Sequence, residues 1–101
     1  MKIATGLAAV ASAVMVVGVT ALPAAAATHS GTTTCGSTYT AMVKSRTIGL
    51  TRHEYSNGRN YEFATTTNWT VRSSQSGARA VNWQVIAPTI DYGQTFGQCV
   101  N

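Results

Sequence analysis

The segment R-A-V-N-W-Q-V-I-A, residues 79–87, decides the fold class of this chain. Its large apolar side chains recur at every second position, which is the period of a β-strand with one buried face. Pro88 follows directly and ends the strand, since proline cannot donate a hydrogen bond to a central ladder. The side chains expected in the core are Val81, Trp83, Val85 and Ala87, and those on the opposite face are Ala80, Asn82, Gln84 and Ile86.

Five further segments after the N-terminal leader are also interpreted as strands, by their alternation and the turn residues between them. They lie near residues 39–43, 48–55, 59–66, 68–73 and 94–100. No window there has the period of an amphipathic helix. This pattern of short alternating segments therefore predicts one all-β domain, a small antiparallel β-sandwich or barrel of about six short strands. Trp69 and Val71 share a face, which we expect to lie in the core as that of Trp83 does. Arg72 then points outward.

Asn57-Gly58 is the strongest turn signal in the chain, because a type I′ turn needs positive φ at both central residues. A two-residue turn at this position places His53 opposite Glu62 across a hairpin. A three-residue turn with a bulge shifts the pairing by one residue and places Arg52 opposite Glu62. The sequence leaves both registers open.

Residues 1–27 have the organisation of a secretory signal peptide. A lysine precedes a long uncharged apolar run, and the small-residue tract 24–27 ends it. Pro23 interrupts the run and no Lys or Arg follows before Lys44, which argues against an uncleaved membrane anchor. We expect cleavage after Ala27 and release of a secreted protein with no stable membrane insertion. The Ala- and Val-rich leader favours a bacterial source.

Residues 28–34, T-H-S-G-T-T-T, are small and polar, so we expect a flexible N-terminal tail before the β-domain at 35–101. Cys35 and Cys99 are the only cysteines, and in an exported protein they predict one intramolecular disulfide. Closing so long a loop stabilises a fold by about 4 kcal/mol. An intermolecular bridge or metal ligation are the alternatives, and the absence of a C-x-x-C pair disfavours metal. No metal or cofactor is expected.

The chain carries a formal net charge of +4, and all but one of its basic residues follow the leader. Such a charge favours anionic surfaces such as teichoic acids or phospholipid headgroups. It is too dispersed for a nucleic-acid site, which concentrates Lys and Arg in one stripe. The candidate surface-binding residues are Lys44, Arg46, Arg52, Arg59, Arg72 and Arg79.

Few residues offer catalytic chemistry. His53 beside Glu62 would form a histidine–carboxylate pair suited to acid–base work, although such a pair is more often a solvated cross-strand contact. A serine, His53 and Asp91 can be combined into a triad on paper, but the chain has no G-x-S-x-G turn. Phosphate-binding, dinucleotide-binding and zinc motifs are absent from the sequence. We expect no enzyme, and a small hydrolase using His53 and a carboxylate is the least supported alternative.

These features predict a small secreted, monomeric, non-catalytic β-domain that binds an extracellular protein or an anionic cell-envelope polymer. An antimicrobial role at the surface of competing bacteria is one form of this function. The alternative is a proteinaceous inhibitor of a secreted hydrolase. In that case the loop 73–78 or the loop 87–92 would occupy the cleft of the enzyme.

Overall fold

A computed structural model of the chain describes residues 26–101, so the predicted signal peptide lies outside the described residues except for its last two positions. Within these described residues, eight strands and a short 3₁₀ turn at Tyr92–Gln94 follow one another. No helix in residues 26–101 is long and apolar enough to span a bilayer. The strands are β1 (Ala27–Thr34), β2 (Thr40–Ile48), β3 (Thr51–Tyr55), β4 (Asn60–Phe63), β5 (Thr70–Gln75), β6 (Ala80–Ala87), β7 (Thr89–Ile90) and β8 (Phe96–Val100).

The strands form two antiparallel sheets that pack face to face. The first sheet has the order β1-β6-β3-β4. In the second sheet β2 is central, with β5 on one edge and both β7 and β8 on the other. The predicted all-β antiparallel fold is therefore confirmed. The six predicted strands correspond to β2, β3, β4, β5, β6 and β8, and the sequence did not predict β1 or β7.

The predicted flexible tail at 28–34 is wrong, because these residues form most of β1 and pair with β6 along their whole length. A strand with almost no apolar side chains is stable here because its backbone hydrogen bonds are made to a central strand. Gly31 also permits close packing on the core. A Cβ at this position would lie only 2.5 Å from Cζ2 of Trp83.

The core between the sheets is centred on β2 and β6. Trp83 is confirmed as a core residue, with 7% of its surface exposed. The turn from β2 to β3 also packs closely, since Gly49 has a φ of 95° and lies against Pro88. The apolar core residues are Cys35, Ala41, Val43, Tyr55, Val81, Trp83, Val85, Ala87 and Ile90.

Cys35 and Cys99 form the predicted intramolecular disulfide, with 5.7 Å between their Cα atoms. Cys35 follows β1 of the first sheet, and Cys99 lies in β8 of the second sheet. The bridge therefore joins the two sheets covalently at one end of the sandwich. The intermolecular and metal-bound alternatives for these two cysteines do not apply.

The orientation of β5 is the reverse of the prediction. Trp69 and Val71 are 41% and 52% exposed, whereas Arg72 is half-buried and Ser74 is buried. The strand therefore presents its polar side chains to the first sheet and its apolar side chains to solvent. Trp69 is not a core residue.

Candidate binding surface

The β3–β4 hairpin has the three-residue turn, so the register that places Arg52 opposite Glu62 is the correct one. The amide of Tyr55 donates to the carbonyl of Arg59, and the amide of Gly58 donates to the carbonyl of Tyr55. Gly58 has a φ of 95°, which a non-glycine residue seldom adopts. His53 consequently faces Tyr61, so of the two registers that the sequence left open, the one that pairs His53 with Glu62 does not occur.

His53 is fully buried between the two sheets. Its Nε2 lies 2.7 Å from Oγ of Ser45, and its Nδ1 lies 2.7 Å from Oγ of Ser74. The ring also packs edge-on against Phe63, at 4.8 Å between centroids. Burial, with a smaller contribution from the positive charge of Arg72, lowers the pKa of His53 to about 4.

This arrangement offers no route for a substrate to the histidine. Ser45 is as inaccessible as His53, since neither residue has any exposed surface. The register places Glu54 and Glu62 on the outer face of the first sheet, while His53 lies on its inner face. The histidine is therefore part of a hydrogen-bonded polar core, and its ring contacts no carboxylate in the described part of the chain.

Tyr55 extends this polar core. Its hydroxyl donates to the carbonyl of Ser74 over 2.7 Å and accepts from the amide of Val43 over 3.2 Å. Arg72 closes the same side of the sandwich, where its Nη2 donates to the carbonyl of Ala64 and its guanidinium lies over Phe63. Hydrogen bonds between the sheets thus explain why β5 turns its polar side inward.

The six predicted surface-binding residues do not lie together on one surface of the structure. Arg52 is 8% exposed and lies 3.0 Å from a carboxylate oxygen of Glu54 and 3.8 Å from one of Glu62, so its prediction as a surface-binding residue is wrong. Arg72 is half-buried and faces the first sheet, so it lies on neither outer face. Arg59 and Arg79 lie near the turns at the disulfide end of the sandwich, away from the remaining pair, Lys44 and Arg46.

Lys44 and Arg46 point outward from the central strand of the second sheet. The register places Phe96 of β8 opposite Lys44 and Val71 of β5 opposite Arg46. If the pairing of β2 with β5 is continued one residue beyond Thr47 and Thr70, Trp69 lies opposite Ile48. We call this surface the Trp69 face; it consists of Lys44, Arg46, Ile48, Trp69, Val71 and Phe96.

Arg46 makes a cation–π contact with Trp69 on the Trp69 face. Its Cζ lies 4.6 Å from the centroid of the indole ring, and its Nη1 donates to Oδ2 of Asp91 over 2.7 Å. Asp91 therefore compensates the charge of Arg46, whereas Lys44 makes no ion pair within residues 26–101. The face combines one uncompensated cation with large exposed apolar side chains.

The outer face of the first sheet has a different chemistry. It carries Glu54 and Glu62 together with hydroxyl and amide side chains of β1 and β6. Within residues 26–101, none of the large exposed hydrophobic side chains lies on it. An open depression of about 580 Å³ crosses it; its lining includes Ser30, Thr32, Glu54, Ser56, Asn82 and Gln84.

Sequence reasoning missed the apolar part of the Trp69 face. A period of two indicates which residues of a strand share a face, but not which face is buried. The orientation of β5 could have been inferred from the residues across the core. Ser74 and Arg72 suit a core that contains the polar side chains of His53 and Tyr55. Phe96 was assigned to a strand without an orientation.

Neither the arrangement of potential metal ligands nor similarity to known proteins helps to locate a functional site in the described residues. In residues 26–101, no group of three or more His, Cys, Asp or Glu side chains is placed to hold a metal ion. Comparisons of the chain with protein-family models, curated proteins and solved structures find no match.

Proposed function

We propose that this chain is an exported, non-catalytic β-domain that binds an anionic component of a cell envelope through the Trp69 face. The observation that carries the proposal is the exposure of three large apolar side chains beside two cations on one sheet face. Trp69 and Val71 are about half-exposed, as is Phe96 at 40%. The organisation of the leader and the disulfide both support export.

The apolar side chains would supply most of the binding free energy. Covering Trp69, Val71 and Phe96 would remove roughly 200 Å² of surface from water, which corresponds to about 5 kcal/mol before the costs of association. Tryptophan and arginine are also the residues most enriched at the energetic centres of interfaces. The stacked pair of Arg46 and Trp69 provides both in a fixed geometry.

The two alternatives receive less support. A hydrolase would need His53 accessible beside a carboxylate, and here its ring is enclosed by serines. For an inhibitor, the loop 73–78 would have to protrude, but it includes the end of β5 and the buried Ser76, whose hydroxyl donates to the carbonyl of Ala41 over 2.8 Å. The segment 87–92 is held by β7, which pairs with β2.

Binding to intact Gram-positive cells and to purified lipoteichoic acid, each at low and at high salt, tests the proposal. We expect binding that weakens with salt, because part of it comes from Lys44. Trp69→Ala and Lys44→Glu should each reduce cell binding several-fold. The matched controls Tyr39→Ala and Arg59→Glu remove an exposed aromatic and reverse a charge elsewhere, and should retain binding.

Equal losses in the face variants and in the controls would contradict the assignment to the Trp69 face. Absence of binding to every cell type would contradict the function itself. Growth inhibition of the same cells by the wild-type protein, lost in Trp69→Ala, would identify an antimicrobial role.

A further inference from the structure

We infer that the envelope component contacted by the Trp69 face is the surface of an anionic lipid bilayer, to which the domain attaches peripherally. This inference rests on the proposed function and names its target. It requires no membrane-spanning segment, since only side chains of one sheet face would enter the interface.

The composition of the Trp69 face is the first argument. A polyanionic polymer is held by several uncompensated cations, but on the Trp69 face the charge of Arg46 is paired with Asp91, and Lys44 is the one cation of this face without an ion pair to residues 26–101. Such a polymer would leave Trp69 and Phe96 without a role. A bilayer surface uses both kinds of residue, because aromatic side chains favour the headgroup region and cations attract anionic lipids.

The geometry of the sheet is the second argument. Trp69 directly precedes β5, Val71 lies in β5 and Phe96 lies in β8, so the apolar side chains flank the cations of the central strand on both sides. Neighbouring strands are about 4.8 Å apart, which makes this a platform roughly 10 Å wide. Side chains on both edges can enter the interface together, while Lys44 extends its charged end to the lipid headgroups.

The contrast between the two outer faces is the third argument. On the opposite face Arg52 lies 3.0 Å from a carboxylate oxygen of Glu54 and 3.8 Å from one of Glu62, so two carboxylates and one guanidinium leave a formal charge of −1 there. Lys44, Arg46 and Asp91 together carry a formal charge of +1 at the Trp69 face, so an anionic surface favours this face over the opposite one. This asymmetry orients the domain with the Trp69 face toward the lipid.

Vesicles of phosphatidylcholine, with and without phosphatidylglycerol, test the inference in the absence of any envelope polymer. The chain contains two tryptophans, and Trp83 in the core supplies a constant fluorescence background. We expect a blue shift of the Trp69 emission and cosedimentation with the anionic vesicles at low salt, and at least fivefold weaker binding to vesicles of phosphatidylcholine alone.

Variants separate the contributions. Trp69→Ala should weaken vesicle binding about tenfold, whereas Trp69→Phe should keep most of the binding and lose the emission shift. Lys44→Glu should weaken binding about tenfold, and the same change of net charge in Arg59→Glu should weaken it less than twofold. Circular dichroism of each variant shows that it is folded.

Cell binding through the Trp69 face without vesicle binding would overturn the inference in favour of a polymer and leave the proposed function intact. Loss of both would overturn both. Self-association of the wild-type protein in sedimentation experiments, abolished by Trp69→Ala and without vesicle binding, would assign the face to a second copy of the chain.

Discussion

Arg46 stacks its guanidinium group on the indole ring of Trp69 on the outer face of the second sheet, 4.6 Å from the ring centroid. Arg46 lies in β2 and Trp69 directly precedes the neighbouring β5, while Asp91 forms an ion pair with the arginine. Trp69 shares its face with Val71, and both side chains are exposed to solvent. This relationship distinguishes the two tryptophans of the chain, one in the core and one on a surface available for binding.

The two tryptophans should differ in their importance for stability. Trp83→Ala should destabilise the fold by about 3–5 kcal/mol, because it leaves a large cavity in the core. Trp69→Ala removes a partly exposed ring and its contact with Arg46, and should cost about 1 kcal/mol or less. Urea denaturation of both variants measures the difference, and equal losses would show that Trp69 is also part of the core.

The adjacent serines Ser73 and Ser74 of β5 should differ in how much their substitution destabilises the domain. Ser74→Ala removes a hydroxyl that lies 2.7 Å from Nδ1 of His53 and should cost about 1–3 kcal/mol, because a buried polar group loses its partner. Ser73→Ala changes an exposed side chain on the other face and should cost less than about 0.5 kcal/mol. If the thermal unfolding of Ser73→Ala were the more affected, the orientation of β5 described above would be incorrect.

The stability of the domain should fall as the pH is lowered from about 6.5 to about 4. The pKa of His53 is near 6.5 when unfolded and about 4 when folded, so in this window the unfolded chain binds a proton that the folded chain does not. This group alone contributes a loss of about 3 kcal/mol across the window. The loss is absent above the unfolded pKa and complete below the folded pKa.

Urea denaturation at pH 7.5, 5.5 and 4 measures this dependence. His53→Gln retains a side chain that can hydrogen-bond to both serines but cannot be protonated, so its stability should vary much less over the same range. His29→Gln is the matched control and should keep the slope of the wild-type protein. A slope that survives in His53→Gln would assign the acid sensitivity to other groups.

Gly31→Ala should destabilise the domain by about 1–3 kcal/mol, because its methyl group would meet the Trp83 ring in a close-packed core. Gly36→Ala is the control, since a Cβ there would make an ordinary contact of 3.5 Å with Tyr39. A difference in thermal unfolding between the two variants is expected because β1 packs on the core. A flexible segment at 27–34 would tolerate both substitutions equally.

The strands that could be predicted are those whose alternation is strong. In β6, four apolar residues face one way, so Trp83 was placed correctly without reference to any other strand. β1 could not be predicted from its own residues, because its stability comes from backbone pairing with β6 and from the space above Trp83 that Gly31 leaves. β7 contains two residues, too few to show a period.

The Trp69 face was only partly foreseeable. Lys44 and Arg46 were identified by charge, but charge alone also selected Arg52, which the structure buries between two glutamates. The hairpin register decided that burial, and the turn dipeptide Asn57-Gly58 is compatible with either a two-residue or a three-residue turn. The choice between them depends on how β3 pairs with β6 as well as with β4.

The sequence by itself determined the all-β class and the pairing of Cys35 with Cys99. Period-two alternation is the period of a strand and not of a helix, and two cysteines in an exported chain most simply form one intramolecular bridge, although the sequence left an intermolecular bridge and metal ligation open. Only the tertiary structure decided which side of β5 is buried. An isolated strand with an apolar and a polar face would bury the apolar one, but here the first sheet presents His53 and Tyr55. Because these buried groups require hydrogen-bond partners, Ser74 faces inward and Trp69 is left on the surface.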